Sequence, residues 1–304
     1  MNDGNQMFRI IYNPYASRGG SEAYLHKFVA ILEREGLAFE IYETNVPGDA
    51  TSITRGLIAD GVRRIVIIGG DGTLHEALNG YNEGDDVVFG IIPAGTGNDV
   101  ATMLGIPHAL ADIEEAAASI LAGDVRHVDM MVSRQGVQSV LFFSYGIAAQ
   151  MILVMQKMKS RSKLSYYKAL LKQMVAFKPG LYEVEFDGQR RTLRADFCGV
   201  HNCVHAGGGM TLINAAVIDD GFAELFMVEN RGFWRRVLNF IAILRGRMHR
   251  QPNVEIVKVS HVVIASPEGP LCCIDGENHE FGRLELDVRR RAVRAFGRTE
   301  GEGS

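Results

Sequence analysis

The chain has 304 residues, of which 47% are hydrophobic and 22% charged, with a formal net charge of −4. That length exceeds what one compact core usually needs, so two domains are expected. The acidic balance excludes a dedicated nucleic-acid binder, which would ordinarily be basic.

The total hides an asymmetry. Met1 to Val128 carries eight Lys and Arg against 18 Asp and Glu, a net −10, while the remainder carries 24 against 18, a net +6. An acidic front and a basic back suit different partners, and anionic lipid is a candidate for the basic half, set against scattered solvated charge as the plainer reading. Met1-Asn2-Asp3-Gly4-Asn5-Gln6 has neither a cationic region nor an apolar core, so no signal peptide is read. Four cysteines in a chain of this length do not suggest a disulfide framework and fit a reducing cytoplasm.

In chain order, Phe8–Tyr12 reads as a buried strand ending at Asn13-Pro14. Ser21–Glu35 reads as a helix, with Leu25, Phe28, Val29 and Leu32 at helical spacing and Gly36 as its stop. Phe39–Tyr42 predicts a second strand and Ala50–Asp60 a second helix. Ile65–Ile68 and Val87–Ile92 predict two further strands, each entering a glycine-rich turn. This rhythm predicts a parallel sheet covered by helices on both faces. Ligands of such sheets sit beyond the carboxyl ends of the strands, where these turns fall.

After Val128 the pattern changes. Strand-like segments follow at Val137–Phe143, Tyr182–Phe186, Thr192–Cys198, Ala223–Val228, Ile256–Ile264 and Leu284–Val288, with helices near Leu164–Phe177 and Phe233–Leu244. A β-sandwich-like second domain is expected. The uncharged stretch Gly136–Gln156, followed by Lys157, Lys159, Arg161 and Lys163, has the length of a membrane span. Gln138, Ser139, Ser144, Gly146 and Gln150 interrupt it, so it is read as a strand running into a separate helix.

Gly69-Gly70-Asp71-Gly72-Thr73 joins a strand to a helix. Its glycines allow close backbone approach, and the helix start offers N–H groups to an anion. Asp71 would repel phosphate unless a divalent cation intervenes, and Mg²⁺ bridging carboxylate and phosphate oxygens resolves the conflict. A simple cap on a tight turn is the alternative. A second loop, Pro93-Ala94-Gly95-Thr96-Gly97-Asn98-Asp99, leaves the next strand and again opens a helix, Val100–Leu104. Thr73 and Thr96 hydroxyls could bond phosphate oxygens, with Asn13 edging the same crevice. Neither a Walker-type loop nor a G-x-G-x-x-G after the first strand is present, which disfavours ordinary P-loop and dinucleotide readings.

With Asn13-Pro14, the loop Gly69–Thr73 and its extension Leu74-His75-Glu76, the loop Pro93–Asp99, Asp219-Asp220-Gly221 and Asp275-Gly276-Glu277 in this order, the chain resembles the diacylglycerol-kinase catalytic family. The resemblance implies a Rossmann-like α/β domain with a parallel sheet, of the NAD kinase and diacylglycerol kinase type, and a β-sandwich-like C-terminal domain. It divides the chain into a nucleotide-binding domain over 1–128, rejoined by the segment 289–298, and a β-rich lipid-substrate domain over 129–288. It implies ATP bound by Asn13, Thr44, Gly69, Gly70, Asp71, Gly72, Thr73, Gly95 and Thr96, and Mg²⁺ held by Asp220 with the backbone carbonyls of Val217 and Phe222. It makes Glu277 the general base and places Asp71 and Asp129 as acidic groups near Mg-ATP. Two departures stand out: His75 replaces the more usual Asn, and Tyr15-Ala16-Ser17-Arg18-Gly19 is a loose version of the family's loop, which puts the phosphate contacts of Arg18 in question.

The reading is therefore an ATP- and Mg²⁺-dependent lipid kinase of the cytoplasm, docked peripherally on a membrane through its basic half. An NAD kinase-like enzyme and a nucleotide-binding regulatory protein are the alternatives, and a homodimer is one allowed assembly. Asp275-Gly276 alone reads as a type I′ hairpin turn. Cys198, His201, Cys203 and His205 lack zinc-site spacing, and along a strand Cys198 faces away from the other three. Cys272-Cys273 reads as small buried filler. The helix Phe233–Leu244, ringed by Arg235, Arg236, Arg245, Arg247 and Arg250, reads either as a core-packed helix or as a lipid-docking one.

Overall fold

The computed structural model describes residues 7–157, 172–173, 175–206, 210–213 and 216–297. Most of the predicted helix 164–177, with the lysines around its start, and the Arg18 side chain lie outside the described residues. The chain divides into two compact units, Met1–Met130 with Arg291–Ser304, and Met131–Arg290.

In the first unit, β1 (Phe8–Tyr12), β2 (Phe39–Glu43), β3 (Arg64–Gly69) and β4 (Val88–Pro93) form a parallel sheet in the order β2-β1-β3-β4. Ile10, Ile11, Ile65–Ile68 and Phe89 are all buried, as expected of strands covered on both faces. The covering helices are α1 (Glu22–Arg34), α2 (Asp49–Ala59), α3 (Asp71–Leu78), α4 (Asp99–Met103) and α5 (Ile113–Ala122). Helix α1 buries Phe28, Ile31 and Leu32, one stripe at helical spacing. Helix α5 lies close on β4 because Gly90 has no side chain: a Cβ there would meet Ile120 and Val66 at 3.1 Å.

The chain leaves this unit within β5 (Val125–Ser133) and returns within the last strand, which pairs Ala295 with Phe89 of β4 in parallel. Arg291, at a φ of 53°, turns its N–H onto the wholly buried Asp129 carboxylate at 2.6 Å.

The second unit is a β-sandwich domain built mainly of antiparallel strands. After β6 (Gln138–Ser139), β7 (Phe142–Gly146) and α6 (Ile147–Lys157) come β8 (Gly180–Phe186), β9 (Gln189–His201) and the small ribbon β10 (His205–Ala206) with β11 (Met210–Thr211). There follow β12 (Ala223–Glu229), α7 (Phe233–Leu244), β13 (Val254–Val259), β14 (His261–Ala265), β15 (Leu271–Ile274), β16 (Glu277–Glu280) and β17 (Arg283–Phe296). Alternation sorts the side chains. Phe143, Tyr145, Val200, Leu225 and Ile274 fill the inner core, while Phe197, Phe226 and Val228 face outward onto Ala242 of α7 and Met248.

Two expected strands are divided. Val137–Phe143 breaks at Val140-Leu141, because the Asp275 carboxylate accepts the Ser139 hydroxyl at 2.5 Å and the Phe142 N–H at 2.9 Å. Ile256–Ile264 breaks at Ser260, whose carbonyl accepts the Val288 N–H at 2.8 Å. β13 therefore pairs with β12, whereas β14 pairs with β8 and β17.

The buried Arg236 of α7 is bonded to Asp196 of β9 at 2.8 Å, with side chains 9% and 5% exposed. Asp196→Ala would leave that guanidinium buried without its counter-charge, an expected loss of about 3–5 kcal/mol in urea unfolding. Arg190→Ala, which breaks the exposed pair with Glu183, should leave the midpoint unchanged; equal losses would contradict this ranking.

Candidate active site

The carboxyl edge of the parallel sheet gathers most of the proposed nucleotide residues. The Asn13 N–H bonds the Ile68 carbonyl at 3.0 Å, Thr44 N–H the Tyr12 carbonyl at 2.9 Å, and Ala94 N–H the Gly69 carbonyl at 2.8 Å. The ends of β1 to β4 thus lie in one row. Across it, Asn13 donates from Nδ2 to the Thr73 hydroxyl at 2.8 Å, and Ser17 donates its hydroxyl to the Ala94 carbonyl at 2.7 Å. Thr44 and Thr73 are buried, whereas Thr96 is exposed at the tip of its loop.

Both loops must be glycine where they meet. A Cβ on Gly95 would lie 2.4 Å from the Gly70 Cα, and one on Gly70 would lie 3.0 Å from the Gly95 Cα. Two backbones therefore run in contact, with no room for a side chain on either glycine. Helix α3 begins at Asp71 with no side chain capping it, so its first turn offers N–H groups and the positive end of the helix dipole. Helix α4 offers less, because Asp71 Oδ1 accepts the Val100 N–H at 3.1 Å. Asp71 thus links the loops as well as supplying charge. Asn98, which the sequence reading quoted without a role, holds the second loop shut. In the left-handed conformation at a φ of 56°, it accepts the Gly95 N–H at 2.9 Å and donates to the Gly95 carbonyl at 3.0 Å. An Asn directly after Gly97 is the signal that could have marked it. His75 is buried in α3, its Nε2 3.4 Å from Asn79 Nδ2.

Asp129 is wholly buried inside the unit and accepts the Arg291 backbone N–H.

In the second unit, Asp275 and Gly276 have φ values of 47° and 92°, the two positive angles of a type I′ turn. The Asp275 carboxylate is buried in bonds to Ser139 and Phe142, which fixes the hairpin and leaves Glu277 exposed at its end. Asp220 lies in the turn before β12. Its Oδ1 accepts the Phe222 N–H at 3.0 Å and its Oδ2 meets the Lys258 ammonium. From β16, which carries Glu277, through β15, β7 and β9 to β12 there are four strand spacings, roughly 19 Å along the sheet, so a cation on Asp220 would not touch Glu277 directly. Carboxylate and carbonyl oxygens at Asp220, Val217 and Phe222 suit Mg²⁺ by donor type, and such an ion would compete with Lys258.

Glu224, absent from the sequence reading, faces Lys258 across one ladder and His201 across the other. Its buried Oε2 has no partner. A lone acid in the apolar run Ala223–Val228 was the available signal. Burial raises its carboxyl to about 7, with Lys258 opposing and Asp220 reinforcing the rise. His201, stacked on Phe142 at 5.3 Å, is pushed by burial down to about 3 and stays neutral.

Residues 7–133 match the model of the diacylglycerol kinase catalytic domain, and residues 142–296 match that of the YegS C-terminal NAD kinase beta sandwich-like domain. The lipid kinase YegS of Escherichia coli K12 is 30% identical over 275 residues, covering 89% of this chain and 90% of that protein. The chain belongs to the diacylglycerol kinase and YegS family of lipid kinases. A diacylglycerol kinase of Bacillus subtilis strain 168 is 25% identical over 279 residues, covering 88% of this chain and 89% of that protein. The crystal structure of a diacylglycerol kinase from Bacillus anthracis strain Sterne superposes with a TM-score of 0.77 at 25% identity, covering 96% of this chain and 97% of that one. In this family member, the loops that the two glycines bring together belong to the part matched by the catalytic-domain model, and Asp220 and Glu277 to the sandwich part.

Gly95→Ala should separate the loops and abolish the thermal shift given by ATP with Mg²⁺; an unchanged shift would show that the contact does not shape a nucleotide site. Glu224 gives a pH signature. The folded carboxyl holds its proton more tightly than an ordinary glutamate, which titrates at 4.5, so its burial costs stability as pH rises from that value through about 7. Glu224→Gln removes this cost, and its melting temperature should exceed wild type by a few degrees at about pH 8 and by almost nothing at about pH 5. A constant difference across that range would rule out titration of Glu224.

Proposed function

We propose that this chain is an ATP- and Mg²⁺-dependent kinase that phosphorylates the hydroxyl of diacylglycerol or a closely related lipid at the cytoplasmic face of a membrane. The observation that carries the nucleotide half of this reading is the Gly70–Gly95 backbone contact at the sheet's carboxyl edge, a place suited to phosphate by the bare backbone at the turn after β3 and by the start of α3. The acceptor class rests on the relatives, named diacylglycerol kinase and lipid kinase.

In this reading Gly69, Gly70 and Gly72 present backbone to the phosphates, Gly95 leaves the room they need, and Asn13, Thr44, Thr73 and Thr96 supply polar side chains around them. Mg²⁺, when bound, neutralises phosphate oxygens; Asp71 would serve the nucleotide-bound ion, and Asp220 with the Val217 and Phe222 carbonyls a second one. Glu277 takes the proton of the lipid hydroxyl as the new O–P bond forms and the bond to the ADP oxygen breaks. Its exposure suits a carboxylate that must remain ionised to accept that proton. Asp129, buried against the Arg291 N–H, acts as a positioning residue for the returning strand.

Transfer from labelled ATP should occur to diacylglycerol dispersed in detergent and not to NAD. Asp71→Asn and Glu277→Gln should each lower kcat by about 10²–10⁴-fold while retaining wild-type melting. Transfer to NAD alone would overturn the acceptor, and near-wild-type turnover of either variant would overturn its role.

A further inference from the structure

Helix α7 packs one side and exposes the other. Arg236, Asn239 and Ala242 are buried toward the sheet. Phe233, Trp234, Leu238, Ile241 and Leu244 are 37%, 77%, 49%, 37% and 58% exposed. At about 100° per residue these five fall within one arc of roughly 140°, so the exposure is a continuous apolar face rather than scattered side chains. Trp234 and Phe233 pack edge to face with ring centroids 5.2 Å apart at its amino end.

The charges around this face have one sign. From Asn230 to Gln251 the sequence contains six arginines and no acidic residue. Two of them are spent elsewhere: Arg236 on Asp196 within the fold, and Arg231 on Glu229 at 3.0 Å. Arg235, Arg245 and Arg247 have no acidic partner among the described residues. A protein partner could meet an apolar face, but a helix with aromatic and aliphatic groups on one side and uncompensated arginines beside it complements an anionic bilayer on both counts. Tryptophan suits the boundary between headgroups and acyl chains.

We propose that α7 is an interfacial anchor: it lies on an anionic membrane with Trp234, Leu238 and Ile241 inserted among the acyl chains and Arg235, Arg245 and Arg247 at the phosphate level. The helix has 12 residues, a length that lies on a bilayer but cannot cross one, and no helix among the described residues is long and apolar enough to cross. The anchor deepens the lipid-kinase reading by stating how this chain would reach its substrate. It does not depend on catalysis, because adsorption needs no ATP.

The experiment is co-sedimentation of the full chain, without nucleotide, with vesicles of phosphatidylcholine alone or of phosphatidylcholine mixed with phosphatidylglycerol. Binding is expected to the mixed vesicles and to weaken as salt rises. Trp234→Ala with Leu238→Ala should lower the affinity at least about tenfold, and Arg235→Gln, Arg245→Gln and Arg247→Gln about fivefold each. Trp234, Leu238, Arg245 and Arg247 are exposed and Arg235 is half-buried without an acidic partner among the described residues, so melting temperature and turnover of detergent-dispersed lipid should stay at wild-type values. Absence of vesicle binding, binding that ignores phosphatidylglycerol, or binding unaffected by the double variant would each overturn the anchor. So would a wild-type dimer in sedimentation velocity that becomes monomeric in the double variant, since the face would then belong to a second copy of the chain. Loss of lipid phosphorylation with vesicle binding intact would instead count against the kinase reading and leave the anchor standing.

Discussion

Two backbones at the carboxyl edge of the first unit's sheet approach until Gly70 and Gly95 leave no room for a Cβ. Much of that edge follows from this contact. It brings the turn after β3 against the turn after β4, so that Asp71 can accept the Val100 N–H and Asn98 can close its own loop. It also keeps side chains out of the seam beside the start of α3, whose backbone amides are the form of donor that suits a phosphate best when side-chain charge is scarce. No lysine stands in either loop. An acidic residue stands there instead, and the proposed reading pairs it with Mg²⁺ beside the phosphates.

The second unit uses buried polarity differently. Asp275, Phe142, His201 and Glu224 fall in one row across neighbouring strands. Asp275 spends its carboxylate on a turn, and that turn decides where Glu277 emerges. Glu224 is the opposite case, a buried acid with an unbonded oxygen beside the Asp220–Lys258 pair. Carboxylates without a full set of bonds are costly inside proteins, and the raised Glu224 carboxyl is the result of that cost.

Much of this was legible in the sequence. β1, β3 and β4 emerge within a residue or two because each is an apolar run closed by Asn-Pro or a glycine-rich turn, and alternation with helical stretches fixes the parallel class. The Asp275-Gly276 turn type was legible from two residues, since positive φ at both positions favours that pair. The divided strands were not. Val137–Phe143 and Ile256–Ile264 are continuous in apolar pattern, and the bonds that break them come from Asp275 and Val288, remote in sequence. The same holds for Asp71: its charge could be read, but its bond to Val100 depends on how β3 and β4 align. Helix α7 was ambiguous for a related reason. Its apolar residues outnumber those needed to cover the sheet, and only the packed structure divides them into a buried and an exposed set.

In the proposed function, the triphosphate binds at the two glycine loops. Backbone hydrogen exchange of the full chain, with and without ATP and Mg²⁺, tests this directly, because it reads the amides themselves. Slowed exchange confined to the segments Gly69–Leu74 and Ala94–Val100 is the expected result. Unchanged exchange in both segments at saturating nucleotide, or protection appearing elsewhere in the chain instead, would contradict it.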